Sequence, residues 1–539
     1  MSDGLNVLFV SIDSLRRDHL GAYDRPFDWV ADLDVETPTL DAFAERAAVF
    51  DVHYAGSMPC MPTRREWLTG VQEFLWRPWG PIEAYDTTLP ERARAAGVLT
   101  KLITDHFHYF QYGSSGYYEP YHGFEFVRGH EDDAWRTDPY DPPAWLLRQI
   151  GYDRDDVADG AIDGDDDGNG DGVSKENPAT SPWNLREIRP RWAYARNVAD
   201  FEDETDFFAP TVCARTAEWL RANREWDQWF CYVDSFDVHE PFDVPEPYAS
   251  MYTDEDPRDP TLTVWPYYGR TDEGQAALTD RELDFVRSQF AGKVTLVDRW
   301  LGRVFDALDA AALWDETVVI VTSDHGHFLG EHGLIGKPTA PDYDVLARTP
   351  LFVWHPDSPL MGERVGALTQ AIDLHDTVLD ALGAETPAGS HGRSLLPLLR
   401  GETDAHRDWA LYGWWGSSIN VTDGRFTYMR PCRPDRPVAC YSTGQMNAWG
   451  WMGPRDAKAD AEAGRFLPYA DAPVWRFEAP PDPAQDAPML FDTRDDPRQE
   501  RDLTGERPAE ADRMRALLRE GMRALDAPVE QFDRHGLDQ

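Results

Sequence analysis

One cysteine lies in a setting rich in chemistry: Ser57-Met58-Pro59-Cys60-Met61-Pro62-Thr63-Arg64, followed by Leu68-Thr69-Gly70. The prolines stiffen the turn around the thiol, and Arg64 could depress its pKa or hold an anionic group. A simple cysteine nucleophile also needs a histidine base, which the linear order does not place. Three further polar groups each follow a short apolar run. Asp13-Ser14 follows residues 5–12 (LNVLFVSI), Asp234-Ser235-Phe236-Asp237-Val238-His239 follows 229–233 (WFCYV), and Ser323-Asp324-His325-Gly326 follows 317–322 (TVVIVT). An acid directly after a buried strand needs a counter-charge. A divalent cation bound by Asp13, Asp324 and His325 supplies one. Donors that are mostly oxygen favour calcium or magnesium, and His325 leaves manganese open.

Apolar runs of this kind, unbroken and β-branched, are the pattern of strands buried on both faces of a parallel sheet. They alternate with helical stretches over 283–308 and 373–382, which predicts an α/β fold, a mostly parallel sheet sandwiched by helices. Sites in such sheets form just beyond the carboxyl ends of the strands. The acids after the three runs are therefore expected to converge. The texture changes around 403–409, and Pro508 is placed to start a final helix over 509–525. The expected organisation is a catalytic domain over 1–402 and a smaller C-terminal α+β domain over 403–539. An acidic insertion at about 155–180 interrupts the first. Within it, loop 163–176 carries Asp165, Asp167, Asn169, Gly170 and Glu176 at calcium-loop spacing. Gly172 stands at the usually apolar position and no exit helix follows, so a solvated surface insertion is favoured over a calcium site.

With 42% hydrophobic and 12% aromatic residues the chain has ample material for packed cores, which excludes general disorder. Ninety-seven acidic residues against fifty-two basic ones give a formal net charge of -45. Such a surface repels nucleic acid and anionic membranes, so neither is expected as a partner. Arginine in place of lysine on a dense carboxylate surface suits a high-salt, halophilic cytoplasm, where screening suppresses self-repulsion. No basic leader opens the chain and no apolar stretch is long enough to span a bilayer, so a soluble, cytoplasmic protein is expected. The five cysteines (Cys60, Cys213, Cys231, Cys432, Cys440) are scattered and odd in number, which fits a reducing compartment. Cys432 and Cys440 could bridge, but free thiols are favoured.

The segment Cys60-Met61-Pro62-Thr63-Arg64 with Leu68-Thr69-Gly70 resembles the signature of the sulfatase family, cysteine-x-proline-x-arginine followed by threonine-glycine. Residues 6–21, 236–241, 321–337, 392–399 and 488–502 are similar to that family's other landmarks, so the likeness covers effectively the whole chain. The resemblance implies a formylglycine-dependent hydrolase of the alkaline-phosphatase-like superfamily. It implies that a separate formylglycine-generating enzyme oxidises Cys60 and that the hydrated aldehyde supplies the attacking oxygen. Asp13, Cys60, Asp324 and His325 would hold the metal, most of all Ca2+. Arg64 would steady the nucleophile and metal shell. Lys337 and His239 would neutralise developing charge, one of them protonating the leaving oxygen, and His106 and His108 would contact substrate.

Three departures stand out. Ser14 replaces the second of two adjacent aspartates. Thr104-Asp105-His106-Phe107-His108 stands where arylsulfatases have glycine-lysine-tryptophan-histidine, which leaves the histidine register open and makes Lys101 a poor substitute for the missing lysine. Histidine after Asp324 is shared with phosphonate monoester and phosphodiester hydrolases. The expected activity is hydrolysis of a small-molecule or carbohydrate sulfate monoester. The alternative is phosphonate monoester or phosphodiester hydrolysis on the same site. A non-catalytic metal- or glycan-binding protein on this fold is a third class, opposed by the intact Asp13, Cys60, Arg64, Asp324, His325 and Lys337.

Overall fold

A computed structural model describes residues 4–111, 115–137, 142–151, 190–444 and 461–538. The acidic insertion and its candidate calcium loop 163–176 lie outside the described residues. Asn6–Ile12 is the central strand of an eight-stranded sheet. Trp229–Ser235, Leu99–Thr104 and Gly123–Phe126 follow on one side of it, and Thr317–Thr322, Leu351–Trp354, Ala48–Phe50 and Arg364–Val365 on the other. Val7 lies opposite Phe230 on one flank and Val318 on the other, both pairings parallel. Leu351–Trp354 alone runs against its neighbours, so the expected mostly parallel sheet is what forms.

The central strand reads as continuously apolar because both faces are covered. Leu8, Val10 and Ile12 join a core with Val212 and Leu220 of helix Phe208–Asn223 and Val286, Phe290 and Val297 of helix Asp280–Ala311. Val7 and Phe9, pointing the other way by the two-residue period of a strand, pack with Trp67 and Leu68 of helix Cys60–Thr69 and with Val378 of helix Asp373–Ala381. Burying one such side chain is worth about 1.5–3 kcal/mol. The long Asp280–Ala311 helix begins with a reciprocal cap. The Thr279 hydroxyl accepts from the Glu282 N–H while the Glu282 carboxylate accepts from the Thr279 N–H at 2.8 Å.

The second, smaller unit is an antiparallel run of Ala410–Trp414, Ser418–Thr422, Phe426–Pro431 and Met489–Asp492. Helix Pro508–Ala524, with proline at its first position as expected, buries Met514, Leu518 and Met522 against the same core as Leu411, Val421 and Leu490. The sheet's outer strand, Ser57–Met58, comes from just before Cys60 and pairs in parallel with Gly413 and Trp414. Cys60, Cys213, Cys231 and Cys432 are buried and free, and Cys440 is buried. Among the described residues no helix is long and apolar enough to cross a membrane.

Asp373, fully buried at the start of its helix, receives Arg407 at Nε and Nη2, His406 at 3.1 Å and the Gln370 N–H at 2.9 Å. Burial alone would raise its carboxyl, but Arg407 and then His406 hold it well below the usual carboxylate range. A depressed folded-state pKa gives stability that is complete above the ordinary aspartate value of about 4 and is lost as pH falls below it. Asp373→Asn is therefore expected to lower the melting temperature at pH 7 and to flatten its fall between pH 5 and 3. An unchanged pH slope in the variant would refute this account.

Candidate functional site

Three neighbouring strands each end in an acid: Asp13 after Asn6–Ile12, Asp234 within Trp229–Ser235, and Asp324 after Thr317–Thr322. All three are fully buried and all three meet one guanidinium. Arg64 reaches Asp234 through Nε and Nη2 at 2.8 Å each, Asp324 through Nη1 at 2.6 Å, and Asp13 at 3.0 Å. Helix Cys60–Thr69 aims this arginine inward. The strand before it is fastened to it, because the Glu66 carboxylate accepts from the Ser57 N–H at 2.7 Å and from its hydroxyl, while Thr63 Oγ1 donates to the Ser57 carbonyl at 2.6 Å. Gly56 is required at this junction: a Cβ there would stand 2.1 Å from Glu66 Oε2.

Cys60 opens the helix with its thiol buried. Sγ lies 3.2 Å from His325 Nε2, 3.7 Å from Lys337 Nζ and 4.0 Å from Asp13 Oδ1. Burial, and then the nearby Asp13 charge, push the thiol pKa well up, so the unmodified side chain rests as a thiol. Asp13 would be raised by burial, but Arg64 holds it well below its usual range. Asp324 is raised, by burial and by the adjacent Asp13 charge. Burial pulls the Lys337 ammonium down, yet the facing Glu240, Asp13 and Asp324 carboxylates hold it above the usual lysine range. Ser14, at a φ of 60°, ties the acids together: its N–H donates to Asp324 Oδ1 at 3.0 Å and its hydroxyl to Asp13 Oδ1 at 2.7 Å.

Ligand atoms of Asp13, Cys60, Asp324 and His325 lie within 4.8 Å of one another. Three buried carboxylates face a single guanidinium, and Asp13 Oδ2 accepts no well-formed hydrogen bond. That excess negative charge and the mixed oxygen and nitrogen donors fit a divalent cation.

A cavity of about 700 Å³ rests on this cluster. Cys60, Lys337 and His239 border it, and Glu131, His108 and Tyr268 stand in its wall beside Trp79, Trp414 and Trp415. The His239 Nδ1 lies 2.9 Å from the Glu240 carbonyl, and Lys293 donates to the His239 carbonyl at 2.9 Å while pairing with Asp237 at 2.5 Å. Burial and then the Lys337 charge hold the His239 ring well below the usual histidine pKa. The two candidate substrate histidines part company. His108 borders the cavity, whereas His106 is fully buried, its ring tilted against Phe236 at 4.2 Å with Nε2 3.5 Å from Asp13. Lys101 points away, 3.7 Å from Glu125.

All nine sequence candidates thus lie around one centre. Asp234 converges with Asp13 and Asp324 as the strand ends led us to expect, though no role had been attached to it; Glu131, Glu240 and Tyr268 were not anticipated, and Glu131 follows no recognisable pattern.

A family model described as Sulfatase matches residues 5–384. The chain belongs to the sulfatase family. It is 28% identical over 438 residues to the multifunctional alkaline phosphatase superfamily protein PehA of Trinickia caryophylli, covering 73% of this chain and 77% of that one. It is 24% identical over 429 residues to an arylsulfatase of Clostridium perfringens, covering 75% and 80%. Its fold matches the phosphonate monoester hydrolase of Agrobacterium radiobacter with a TM-score of 0.61 at 20% identity, covering 97% and 95% of the two chains. This sulfatase-family chain has the alkaline-phosphatase-like α/β fold with a smaller C-terminal domain.

Proposed function

We propose that the chain hydrolyses sulfate monoesters of a small alcohol or sugar, using a formylglycine made from Cys60 and a divalent metal, Ca2+ first, held by Asp13, Cys60, Asp324 and His325. The observation that carries this reading is the buried Cys60 thiol ringed by Asp13, His325 and Lys337 at the edge of the cavity. The metal would act as a Lewis acid toward the ester and lower the pKa of a coordinated hydroxyl. The chain's own residues do the rest. Arg64 fixes the three acids in place, and Lys337, held cationic, faces the charge of the sulfuryl group. His239 and His108 border the space where the alcohol sits. The catalytic unit is 1–402 and the 403–539 unit supplies Trp414 and Trp415 to the wall. The free thiols and the net charge of -45 favour a reducing, high-salt cytoplasm, and a formylglycine-generating enzyme is the transient partner implied.

Phosphonate monoester or phosphodiester hydrolysis is the second reading, favoured by His325 after Asp324, on a fold shared with the phosphonate monoester hydrolase of Agrobacterium radiobacter. With matched 4-nitrophenyl esters, kcat/KM for the sulfate is expected to exceed that for the phenylphosphonate at least about tenfold, a difference of about 1.4 kcal/mol in transition-state binding. The reverse order would give the site to the second reading. Chelation of divalent ions is expected to lower kcat about a thousandfold, since Lewis-acid assistance is worth several kcal/mol, and added Ca2+ to restore it. Full activity after exhaustive chelation would sink the metal assignment.

A further inference from the structure

We propose that the alcohol released is an apolar, uncharged ring alcohol, aromatic or fused-ring, rather than a sugar. This choice of substrate class rests on the ester-hydrolase reading above. It comes from the part of the cavity that the chemistry does not use. Around the reacting group the lining is polar, with Cys60, Lys337 and His239. Away from it the wall is built of Phe74, Trp79, Trp414, Trp415 and the pair Pro480-Pro481. The three indoles are half-buried and held in place. Trp79 packs edge-on against His108 at 4.8 Å, Trp414 is fixed by its strand pairing with Met58, and Trp415 Nε1 donates to the Ala439 carbonyl at 3.1 Å. Rings set in advance lose little side-chain freedom on binding, and a space of about 700 Å³ holds a ligand of a few rings.

The polar groups in this wall are largely committed to one another. The Thr339 hydroxyl donates to Asp482 at 2.7 Å, the Tyr268 hydroxyl donates to Glu240, and Gln111 Oε1 lies 2.6 Å from His108 Nδ1. A sugar carries several hydroxyls, each of which gives up water on entering. Against partners already taken they stay unpaired, which is the costly case. A ring of carbon has no such loss. Charge selects in the same direction. Asp482 borders the cavity, pinned by Thr339 two residues past Lys337 and by its own N–H, which donates to the Gly416 carbonyl at 2.9 Å. A second anionic group on the alcohol would meet this carboxylate. Among the described lining residues the lysine and the arginine are both engaged elsewhere. Lys337 faces Cys60 at 3.7 Å and Ser14 at 3.4 Å. Arg77 is fully buried and gives Nε to Glu73 at 2.7 Å, Nη1 to Glu83 and Nη2 to the Pro81 carbonyl at 2.5 Å.

The test uses two matched pairs of sulfates on enzyme with metal and modified Cys60 present. It is run in about 1 M NaCl, where a screening length of about 3 Å removes repulsion by the distant surface charge. The first pair is 4-(carboxymethyl)phenyl sulfate and its neutral amide, whose phenols leave almost equally well. The acid is expected to have a kcat/KM at least about tenfold below the amide, and Asp482→Asn to narrow that gap at least about threefold. The second pair is cyclohexylmethyl sulfate and glucose 6-sulfate, both primary esters, measured as competitive inhibitors of aryl sulfate cleavage. Glucose 6-sulfate is expected to bind at least about 30-fold more weakly, with the difference reduced in Trp415→Ala. The wild-type comparisons stand if either variant fails to fold. Sulfate-cleaving enzyme that uses the acid as well as the amide, or binds the sugar ester as tightly as the cyclohexyl one, would overturn the substrate class and leave the sulfatase reading intact. A gap that Asp482→Asn leaves unchanged would overturn the part given to that carboxylate. Wild type that cleaves aryl phenylphosphonates but no sulfate would instead defeat the sulfatase reading. The acid and amide pair, remade as phenylphosphonate esters, would then decide the class of alcohol.

Discussion

Cys60→Ala is expected to lower kcat/KM for an aryl sulfate by about 10⁴-fold or more, while the melting temperature stays near that of wild type. Loss of a covalent nucleophile removes the reaction route, and such losses reach about 10⁶-fold in enzymes that depend on one. The fold depends on Cys60 far less. Its thiol is buried, but the helix it opens is fastened by Thr63, Glu66 and Arg64, none of which the substitution touches. Mass spectrometry of the Cys60 peptide from active wild-type protein completes the test. An aldehyde or its hydrate is expected there. An unmodified thiol in active enzyme would shift the chemistry to a direct thiolate or a metal hydroxide, with His325 at 3.2 Å as the nearest base.

The second large effect concerns stability. Arg64→Met removes the one guanidinium that faces Asp13, Asp234 and Asp324, and leaves three buried carboxylates uncompensated. Breaking a buried pair from one side typically destabilises by about 3–5 kcal/mol. In a chain this long that corresponds to a fall in apparent melting temperature of about 5 °C. The loss is expected to be greatest in metal-free protein and smaller with excess Ca2+, because the proposed cation would bind two of the same acids, Asp13 and Asp324, and stabilise the state it binds. Equal melting temperatures for wild type and variant without metal would remove Arg64 from the role of charge hub.

Much of this arrangement was legible from residue order alone. The runs at 5–12, 229–233 and 317–322 read as buried parallel strands because each alternates between two covered faces, and the rule that sites gather at strand ends brought Asp13 and Asp324 together. The strand Leu351–Trp354 has the same composition yet runs antiparallel, since apolar content records burial on two faces and carries no direction. The edge strand Ala48–Phe50, just past helix Pro38–Ala44, left no sign in residue order. Three residues with mixed propensity are too few for a period to register. Among the site residues, those set by local spacing were found. Glu131, Glu240 and Tyr268 were not, because their approach to Cys60 depends on how distant loops close over the sheet. His106 and His108 sit two apart, and sequence could not say which would face the cavity; the short helical turn Phe107–Phe110 sends His106 inward beside Asp13 and leaves His108 at the wall.

The pairing of Ser57–Met58 with Gly413 and Trp414 has a bearing on timing during synthesis. The strand next to Cys60 has no partner until a segment some 350 positions later has left the ribosome. At about 5–20 residues per second, that interval lasts on the order of tens of seconds. Throughout it the Cys60 peptide lacks the strand partner it will later have, whereas in the finished protein the thiol is buried at the floor of the cavity. Under the proposed formylglycine chemistry, the late arrival of that partner strand would set the interval in which Cys60 is most open to conversion. A chain that folds faster than it is modified would be left permanently with a thiol.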